Sequence, residues 1–278
     1  MPLTPDSNPC PVCAAARDYM FTQRVLGRHD VAYFQCQGCG LLQTETPHWL
    51  EEAYSQAIAD TDTGLLQRNL EHASFLNLLL QVAFDPKGRF VDVAGGYGVL
   101  TRLLRDRGFD AWWADKYCNN LFAIGHEASE GLQAQVLFAF EVLEHVTDPL
   151  AFLRTEFARY GCGSMVLSTL TFSGSAPAQG WWYYSLESGQ HVSFYQPRTL
   201  QRLASQLGCE YTRVHDGLHL LMARPLAPWL RRVLRSRRLR SMFERWFWTR
   251  RVLPSLTWRD HEQARQRLRG AEPATAPP

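Results

Sequence analysis

The sequence predicts an α/β protein with a doubly wound sheet between residues 86 and 223, a small cysteine-rich region before it and a basic helical tail after it. The sheet is predicted because short apolar runs alternate with helical patterns throughout this region, as in parallel strands joined by crossover helices. The first run, residues 90–93, ends in a turn that contains Gly95, Gly96 and Gly98, and a helical pattern follows. Glycines at the start of a helix leave bare backbone amides for a ligand. We therefore expect a small-molecule site at the carboxyl edge of the sheet.

The composition supports a globular protein with an uneven distribution of charge. Hydrophobic residues make up 46% of the 278 residues, which is enough for a core and excludes a disordered chain. The net charge of +2 averages two opposite parts: residues 1–223 carry 15 basic and 23 acidic side chains, whereas residues 224–278 carry 14 arginines and 4 acids. An anionic partner is therefore expected for the tail alone.

The sequence contains no apolar run of about 18 residues, so no membrane-spanning helix is expected. Residues 1–9 lack the charged start and the apolar stretch of a secretory signal. We expect a cytoplasmic protein, in which the basic tail is the segment that offers a peripheral contact at the inner face of the membrane.

Residues 1–48 are predicted to form a zinc-ribbon domain. Cys10 and Cys13 form one Cys-x-x-Cys pair, Cys36 and Cys39 form a second, and 22 residues separate the two pairs. Two such pairs supply four thiolates for a tetrahedral structural zinc ion. The alternatives are four free thiols or a redox pair, although a redox role usually needs a single pair at the start of a helix.

The remaining elements follow from periodicity and from chain breakers. Apolar residues recur at helical spacing from 49 to 84, so residues 49–85 are predicted to form a helical linker or lid. The Asp-Pro-Lys-Gly sequence at 85–88 ends this helix. Beyond it, strands are predicted at 89–93, 111–114, 135–140 and 164–170, helices at 99–107, 149–160 and from 197, and an antiparallel hairpin at 210–214 and 218–223.

Acidic residues stand where the predicted strands end. Asp92 precedes the glycine turn, Asp115 follows the second strand, and Glu141, Glu144 and His145 follow the third. These motifs resemble those of class I S-adenosylmethionine-dependent methyltransferases. The resemblance implies a Rossmann-like sheet, S-adenosylmethionine as cofactor with the glycine turn beneath its methionine part, and an Asp115 carboxylate that accepts hydrogen bonds from the ribose hydroxyls. The implied cofactor-binding residues are Asp92, Ala94, Gly95, Gly96, Gly98, Asp115, Phe140 and Glu141.

The resemblance covers residues 69–224 and departs from the family's pattern in two places. Ala94 stands where the family has the first glycine of the turn, and no acid can be placed after a further strand because residues 117–133 are irregular. A nicotinamide enzyme would show Gly-x-Gly-x-x-Gly and an acid about 20 residues further on. The spacing to Asp115 does not separate the two classes, but the Glu-x-x-Glu-His motif followed by Asp-Pro favours the methyltransferase.

Residues 181–195 follow the fourth predicted strand and should lie over the same edge of the sheet. Together with the cysteine pairs, this segment resembles a subgroup that methylates nucleotide-linked deoxysugars. The resemblance implies His191 as the general base, with Tyr183 or Tyr184 as helpers. Gln190 stands where the subgroup has glutamate, so C-methylation of a keto-sugar does not carry over. The alternatives are a hydrogen-bonded loop histidine, and aromatic side chains that pack as a lid instead of stacking on a sugar.

Glu141, Glu144, His145 and His191 permit a second kind of site. Some members of the family hold Mg²⁺ or a similar ion with a Glu-x-x-Glu-His motif and a distant histidine. Oxygen ligands suit magnesium, whereas imidazole favours a transition metal. Many proteins with the motif bind no metal, and the alternative is that Glu144 and His145 brace the exit of the strand.

The arginine-rich tail, residues 224–251, holds ten arginines and one acid, interleaved with aliphatic and aromatic residues. Helical spacing would give an apolar face bordered by arginine. Such a face can dock on the core, lie on an anionic membrane surface or track a nucleic-acid backbone, with nucleic acid the least favoured of the three.

Taken together, the sequence predicts a methyltransferase that uses S-adenosylmethionine and acts on a small-molecule or glycan acceptor, such as a sugar or a natural-product intermediate. The predicted catalytic residues are His191, Tyr184, Glu144 and His145. The alternatives are a metal-assisted O-methyltransferase of another small molecule or of RNA, and a non-catalytic zinc-ribbon adaptor for nucleic acid.

Overall fold

The computed structural model describes residues 8–54, 62–250 and 253–271. Its strands are β1 (Arg17–Val25), β2 (His29–Cys36), β3 (Leu42–Thr44), β4 (Arg89–Asp92), β5 (Asp110–Trp113), β6 (Val136–Phe140), β7 (Met165–Ser168), β8 (Ser193–Phe194), β9 (Glu210–His215) and β10 (Leu218–Met222). Its α-helices are α1 (Leu50–Ala53), α2 (Leu65–Ala83), α3 (Val99–Asp106), α4 (Pro149–Arg159), α5 (Pro197–Gln206), α6 (Pro228–Arg235), α7 (Arg237–Thr249) and α8 (Thr257–Ala271). Two 3₁₀ turns, Leu143–His145 and Trp182–Tyr184, follow the strands β6 and β7.

The central sheet has the strand order β5-β4-β6-β7-β10-β9. Its first four strands are parallel, and β10 runs antiparallel to both β7 and β9. Successive residues of each strand enter opposite cores: Phe90 and Phe138 face one side, and Val91 and Leu137 face the other. Helices cover both faces, so the predicted doubly wound α/β sheet is confirmed.

The helices lie on the sheet in two layers. The buried apolar faces of α2, α3 and α6 pack on the side of Phe90, and those of α4 and α5 pack on the side of Val91. The predicted strands and helices between β4 and β10 have bounds within two residues of those observed, whereas the short strand β8 was not predicted. The carboxyl ends of β4, β5, β6 and β7 meet at one edge of the sheet.

The predicted helix at 49–84 is wrong in its extent. The structure has the short helix α1, which ends before Tyr54, and the long helix α2, which begins at Leu65. Residues 55–61 lie outside the described residues. The sequence before α2 contains Asp62 and Gly64, which favour turns and interrupt a helix.

The small sheet has the strand order β1-β2-β3-β8 and joins the cysteine region to a distant part of the chain. Its fourth strand begins two residues after His191, and Leu42 pairs with Phe194. An aromatic and aliphatic core fills one face of this sheet and includes Tyr33, Trp49 and Tyr184. The segment around His191 is therefore held by the N-terminal region as well as by the central sheet.

The tail docks on the core. Leu230 and Leu234 of α6 are buried against the α2 side of the sheet, and Phe243 and Phe247 of α7 pack against the same core. The docking interpretation of the tail thus holds for these helices, while Arg251 lies outside the described residues. Among the helices described, none is long and apolar enough to cross a membrane.

The last helix, α8, is attached by a buried ion-pair network. Asp260 accepts hydrogen bonds from Arg105 at 2.7 and 2.8 Å and from Arg102 at 2.8 Å. Arg105 and Asp260 are buried, so each charge needs the other to offset its loss of hydration.

Candidate active site

The glycine turn leaves β4 and is packed against the end of β5. The Trp113 indole N–H donates to the carbonyl of Gly96 at 2.9 Å, and the N–H of Gly95 donates to the carbonyl of Ala114 at 3.1 Å. A Cβ atom on Gly95 would lie 2.6 Å from Trp113 Cδ1, so only glycine fits. Gly98 begins α3 with φ +87°, a conformation that favours glycine. Close packing against Trp113 therefore accounts for Gly95, and the backbone conformation accounts for Gly98.

Asp115 closes the turn from the neighbouring strand. One carboxylate oxygen accepts the N–H of Gly96 at 2.9 Å, and the other accepts those of Tyr117 at 2.7 Å and Cys118 at 2.8 Å. A carboxylate offers about four lone-pair sites, so with three of them occupied one site remains for a hydroxyl group. Asp92 is buried beneath the turn, where burial and then the charge of Asp115 raise its pKa to about 8.

The end of β6 carries a strained acidic residue. Glu141 has φ +54°, which is unusual for a side chain with a Cβ atom. Ser168 at the end of β7 holds it there, accepting the N–H of Glu141 at 2.8 Å and donating its hydroxyl to the Glu141 carboxylate. Phe140, the residue before, stacks on the His72 ring of α2 at 4.0 Å between ring centroids.

Glu144 lies fully buried below these residues. The Tyr183 hydroxyl donates to its Oε1 at 2.7 Å, while its Oε2 has no hydrogen-bond partner among the described residues. Burial and then the nearby Glu141 raise the pKa of Glu144 to about 8. Both effects favour the protonated form of this carboxyl group.

Two neutral histidines meet at this point. The rings of His145 and His191 are 4.9 Å apart between centroids and nearly perpendicular. Nδ1 of His191 lies 2.7 Å from the carbonyl of Tyr183, and Nδ1 of His145 lies 3.1 Å from the carbonyl of Gln190. Because a carbonyl only accepts, each Nδ1 carries the hydrogen and each Nε2 presents a lone pair.

Burial keeps both imidazoles uncharged. It lowers the pKa of His191 to about 4, and burial together with the neighbouring His191 lowers the pKa of His145 to about 3. Nε2 of His191 makes no hydrogen bond within the described part of the chain. This atom is a proton acceptor available at neutral pH.

A pair of stacked tyrosines links the glycine turn with the histidines. The ring of Tyr54 lies parallel to that of Tyr117 at 5.1 Å, and the Tyr54 hydroxyl is 3.0 Å from Nδ1 of His145. Tyr117 also donates its N–H to Asp115. The structure thereby brings the predicted cofactor residues and the predicted histidines to one edge of the sheet.

The structure does not bring Tyr184 to this site. Its hydroxyl donates to the carbonyl of Pro177 at 2.8 Å, and its ring packs against Tyr33 and Phe194 in the core of the small sheet. In the 3₁₀ turn at 182–184, consecutive side chains point in different directions, and Tyr183 takes the place beside Glu144. Of the two tyrosines, Tyr183 is the one whose side chain reaches Glu144.

Sequence reasoning missed three contributors: Tyr54, His72 and Ser168. Tyr54 and His72 lie in the segment that was predicted to be a linker or lid, where no motif marks them. Ser168 could have been found, because it is the polar residue that ends the fourth apolar run. Ala94, which replaces a family glycine, is half-buried and packs against the core.

The four cysteines form a separate cluster in the N-terminal region. Sγ of Cys10 lies 3.6 Å from that of Cys39, Sγ of Cys13 lies 3.4 Å from that of Cys36, and all four lie within 4.8 Å of one another. Zinc with bonds of about 2.3 Å in a tetrahedron would separate its sulfurs by roughly 3.8 Å. A Cβ atom on Gly38 would lie 3.1 Å from Sγ of Cys13, so glycine lets the second loop close around the sulfurs. These sulfurs can hold a zinc ion, in agreement with the sequence.

A family model described as "Methyltransferase domain" matches residues 66–214, more than half of the chain. This match, together with the doubly wound sheet, defines a protein of the methyltransferase class. The chain belongs to the methyltransferase family, which confirms the resemblance predicted from its motifs.

Solved structures of methyltransferases are similar to this chain at low identity. CalO1, a methyltransferase in calicheamicin biosynthesis in its SAH-bound form, is 14% identical over 63% of this chain and 61% of its own, with a TM-score of 0.42. Magnesium protoporphyrin IX methyltransferase from Synechocystis PCC 6803 with bound SAH is 14% identical over 62% of this chain and 90% of its own, with a TM-score of 0.43. The O-methyltransferase NcsB1 from neocarzinostatin biosynthesis, in complex with SAH and 1,4-dihydroxy-2-naphthoic acid, is 17% identical over 56% and 57%, with a TM-score of 0.39. The chain thus spans less than two thirds of the CalO1 chain, and no curated protein sequence matches it.

Proposed function

We propose that the chain transfers a methyl group from S-adenosylmethionine to a hydroxyl group of a small molecule, such as a sugar or a natural-product intermediate. One observation carries the proposal. The carboxylate of Asp115, beside the glycine turn, is connected through Tyr117 and Tyr54 to the neutral His145 and its neighbour His191. A donor site and a proton acceptor therefore share one edge of the sheet.

The residues of the turn suit the methyl donor. Gly95 and Gly96 carry no side chains that would block a ligand, and Asp115 keeps one acceptor site for a ribose hydroxyl. When bound, S-adenosylmethionine supplies an electrophilic methyl group on a positively charged sulfur. The protein's part is to hold the acceptor oxygen in line with that methyl group, since alignment can supply a large share of the rate.

His191 is proposed to remove the proton of the acceptor hydroxyl. Its Nε2 lone pair is fixed by the hydrogen bond of Nδ1 to the carbonyl of Tyr183. Its lowered pKa makes it a weak base, which is sufficient because the hydroxyl becomes much more acidic as the new carbon–oxygen bond forms. Tyr183 is a positioning residue, since its carbonyl orients His191 and its hydroxyl binds Glu144.

An aromatic wall supports an acceptor with a ring. Tyr117 is 60% exposed and stacks on Tyr54, and Trp182 is 73% exposed at the start of the turn that leads to His191. Exposed aromatic rings beside a polar site suit the apolar face of a sugar or the face of an aromatic compound.

The test incubates the protein with S-adenosylmethionine that carries an isotope-labelled methyl group, and with a panel of sugars, nucleotide sugars and phenols. Mass spectrometry identifies the labelled product. We expect label on an oxygen atom, loss of turnover in His191→Asn, and a decrease of about tenfold in Tyr183→Phe. Tyr184→Phe is the matched control and should retain turnover. Label on carbon, or full turnover in His191→Asn, would overturn the proposed mechanism.

A second candidate function is metal-assisted O-methylation, and one observation favours it. Glu144, His145 and His191 each offer a ligand atom within 4.8 Å of the others. In both histidines Nδ1 lies at hydrogen-bond distance from a backbone carbonyl, which leaves Nε2 for a metal, as in metal-binding histidines. Imidazole with one carboxylate suits a transition metal better than magnesium. Elemental analysis separates the candidates: the base mechanism requires zinc at the cysteines alone, whereas the metal mechanism requires a second ion that Glu144→Gln removes.

A further inference from the structure

The tail helices α6 and α7 expose several large apolar side chains to solvent. Helix α7 uses Phe243 and Phe247 to cover the core. The same helix also carries three exposed apolar residues, Leu239, Met242 and Trp246. They follow one another at spacings of three and four residues and are 36%, 54% and 45% exposed. Residues at this spacing lie above one another on one side of a helix, so they form a continuous exposed stripe.

Helix α6 also exposes an apolar side chain to solvent. Trp229 is 56% exposed, while Leu230 and Leu234 face the core. We call this set of exposed apolar residues on α6 and α7 the tail face; its members are Trp229, Leu239, Met242 and Trp246. Packing on the core thus explains why the inner residues of both helices are apolar, but it does not explain the apolar residues of the tail face.

Arginines surround the tail face almost without counter-charge. Between residues 224 and 250 the chain has nine arginines and one acid, Glu244. Arg240 lies 3.4 Å from Glu244, and this is the one ion pair of the segment among the described residues. The remaining exposed arginines are Arg224, Arg232, Arg235, Arg237, Arg238, Arg245 and Arg250. A partner that fits this surface must be anionic.

The apolar residues decide between anionic partners. Nucleic acid gives tryptophan a stacking surface but offers little to exposed leucine and methionine. At a bilayer surface, by contrast, leucine and methionine enter the boundary with the acyl chains, tryptophan lies at the level of the headgroups, and arginine meets anionic lipids. We propose that the tail face binds the surface of a bilayer that contains anionic phospholipid, independently of methyl transfer.

The test is sedimentation of the full chain with vesicles of phosphatidylcholine alone and of phosphatidylcholine with one part in three of phosphatidylglycerol. We expect binding to the anionic vesicles only, with a blue shift of tryptophan emission. The variant Arg238→Glu with Arg245→Glu should bind at least tenfold more weakly, since each arginine near such a surface contributes about fivefold in affinity.

The matched control reverses two exposed arginines on the opposite side of the sheet, Arg154→Glu in α4 and Arg202→Glu in α5. It changes the net charge equally and should bind within about twofold of the unchanged protein. A second variant, Met242→Ser with Trp246→Ser, should reduce the emission shift, since Trp229 remains, with an unchanged circular dichroism spectrum. The tail-face residues are exposed, so neither variant depends on repacking the core.

Several results would overturn the proposal. One is equal binding to neutral and anionic vesicles, or binding to neither. Other contradicting results are equal weakening in the control variant, or tighter binding to a single-stranded RNA than to the anionic vesicles at the same salt concentration. Self-association through the tail face, seen as a dimer mass that the Met242→Ser, Trp246→Ser variant abolishes, would also overturn it.

Discussion

Replacing Gly95 with alanine should disable the donor site by pushing the glycine turn away from β5. The new Cβ atom would lie 2.6 Å from Trp113 Cδ1 and 3.0 Å from a carboxylate oxygen of Asp92. Ordinary contact begins near 3.4 Å, so the Trp113 ring or the turn must move by roughly 0.8 Å. Movement of the ring strains the hydrogen bond of its N–H to Gly96, whose own N–H binds Asp115.

The expected size follows from these contacts. Overpacking a well-filled site costs about 1–3 kcal/mol, and loss of the indole hydrogen bond adds about 1 kcal/mol. If half of this free energy destabilises the conformation of the turn that binds the donor, the affinity for S-adenosylmethionine decreases by about tenfold. The midpoint of urea unfolding should decrease as well.

Isothermal titration calorimetry with S-adenosylhomocysteine measures the affinity, and urea unfolding measures the stability. Gly217→Ala is the control, because its Cβ atom would lie 3.8 Å from the nearest neighbour, the ring of His215. If Gly95→Ala binds the ligand and unfolds as the control does, the turn does not depend on its contact with Trp113, and this part of the reasoning is refuted.

Further predictions concern the base, the zinc site, the tail and the pH dependence of stability. His191→Asn should lower kcat by at least 100-fold and leave the affinity for S-adenosylhomocysteine unchanged, since Asp115 and the turn are untouched; a comparable loss of affinity in calorimetry would contradict this. Cys36→Ser should remove one zinc ion per chain and lower the melting temperature, and an unchanged zinc content by elemental analysis would argue against the four-sulfur site. Asp260→Ala removes the buried carboxylate that binds Arg105 and leaves that arginine with the partly exposed Asp110, 3.2 Å away, as its ion-pair partner, so it should cost about 3 kcal/mol in urea unfolding; a loss below about 1 kcal/mol would show that α8 is held in another way. Burial lowers the pKa of His219 to about 3, so its contribution to stability is complete above the pKa of the unfolded chain, near 6.5, and is lost as the pH falls towards 3. His219→Gln should make the free energy of unfolding less dependent on pH in this range. An unchanged slope of that free energy against pH would contradict the account.

The central sheet could be predicted because its signals are local. The strands β4, β6 and β7 are continuous apolar runs that end at charged or polar residues, and Asp216-Gly217 marks the hairpin between β9 and β10. The strand β8 has only two residues, and its pairing with β3 joins residues about 150 positions apart. No local pattern reports such a pairing, so the link between the cysteine region and His191 emerged only from the structure.

The candidate site likewise has residues that the sequence predicts and residues that it does not. The glycine turn, Asp115 and the histidines belong to motifs with fixed spacing, and the structure brings them to one sheet edge. Tyr54 belongs to no motif and arrives from a different part of the chain. The choice between Tyr183 and Tyr184 depends on the direction of two consecutive side chains in a 3₁₀ turn, which composition does not specify.

The tail shows a limit of a different kind. A helix with apolar residues around much of its circumference is compatible with docking, with membrane binding and with nucleic-acid binding. The structure shows that Phe243 and Phe247 face the core and that Met242 and Trp246 do not. The same helix therefore meets one partner inside the molecule and, as proposed, another outside it.

The most direct measurement is a calorimetric titration of the unchanged protein and of Asp115→Asn with S-adenosylhomocysteine. The account predicts one binding site per chain and at least tenfold weaker binding in the variant, because a neutral amide replaces the carboxylate that holds the turn and accepts a ribose hydroxyl. Absence of binding by the unchanged protein, or equal affinity in both proteins, would contradict the assignment of this sheet edge as the site of the methyl donor.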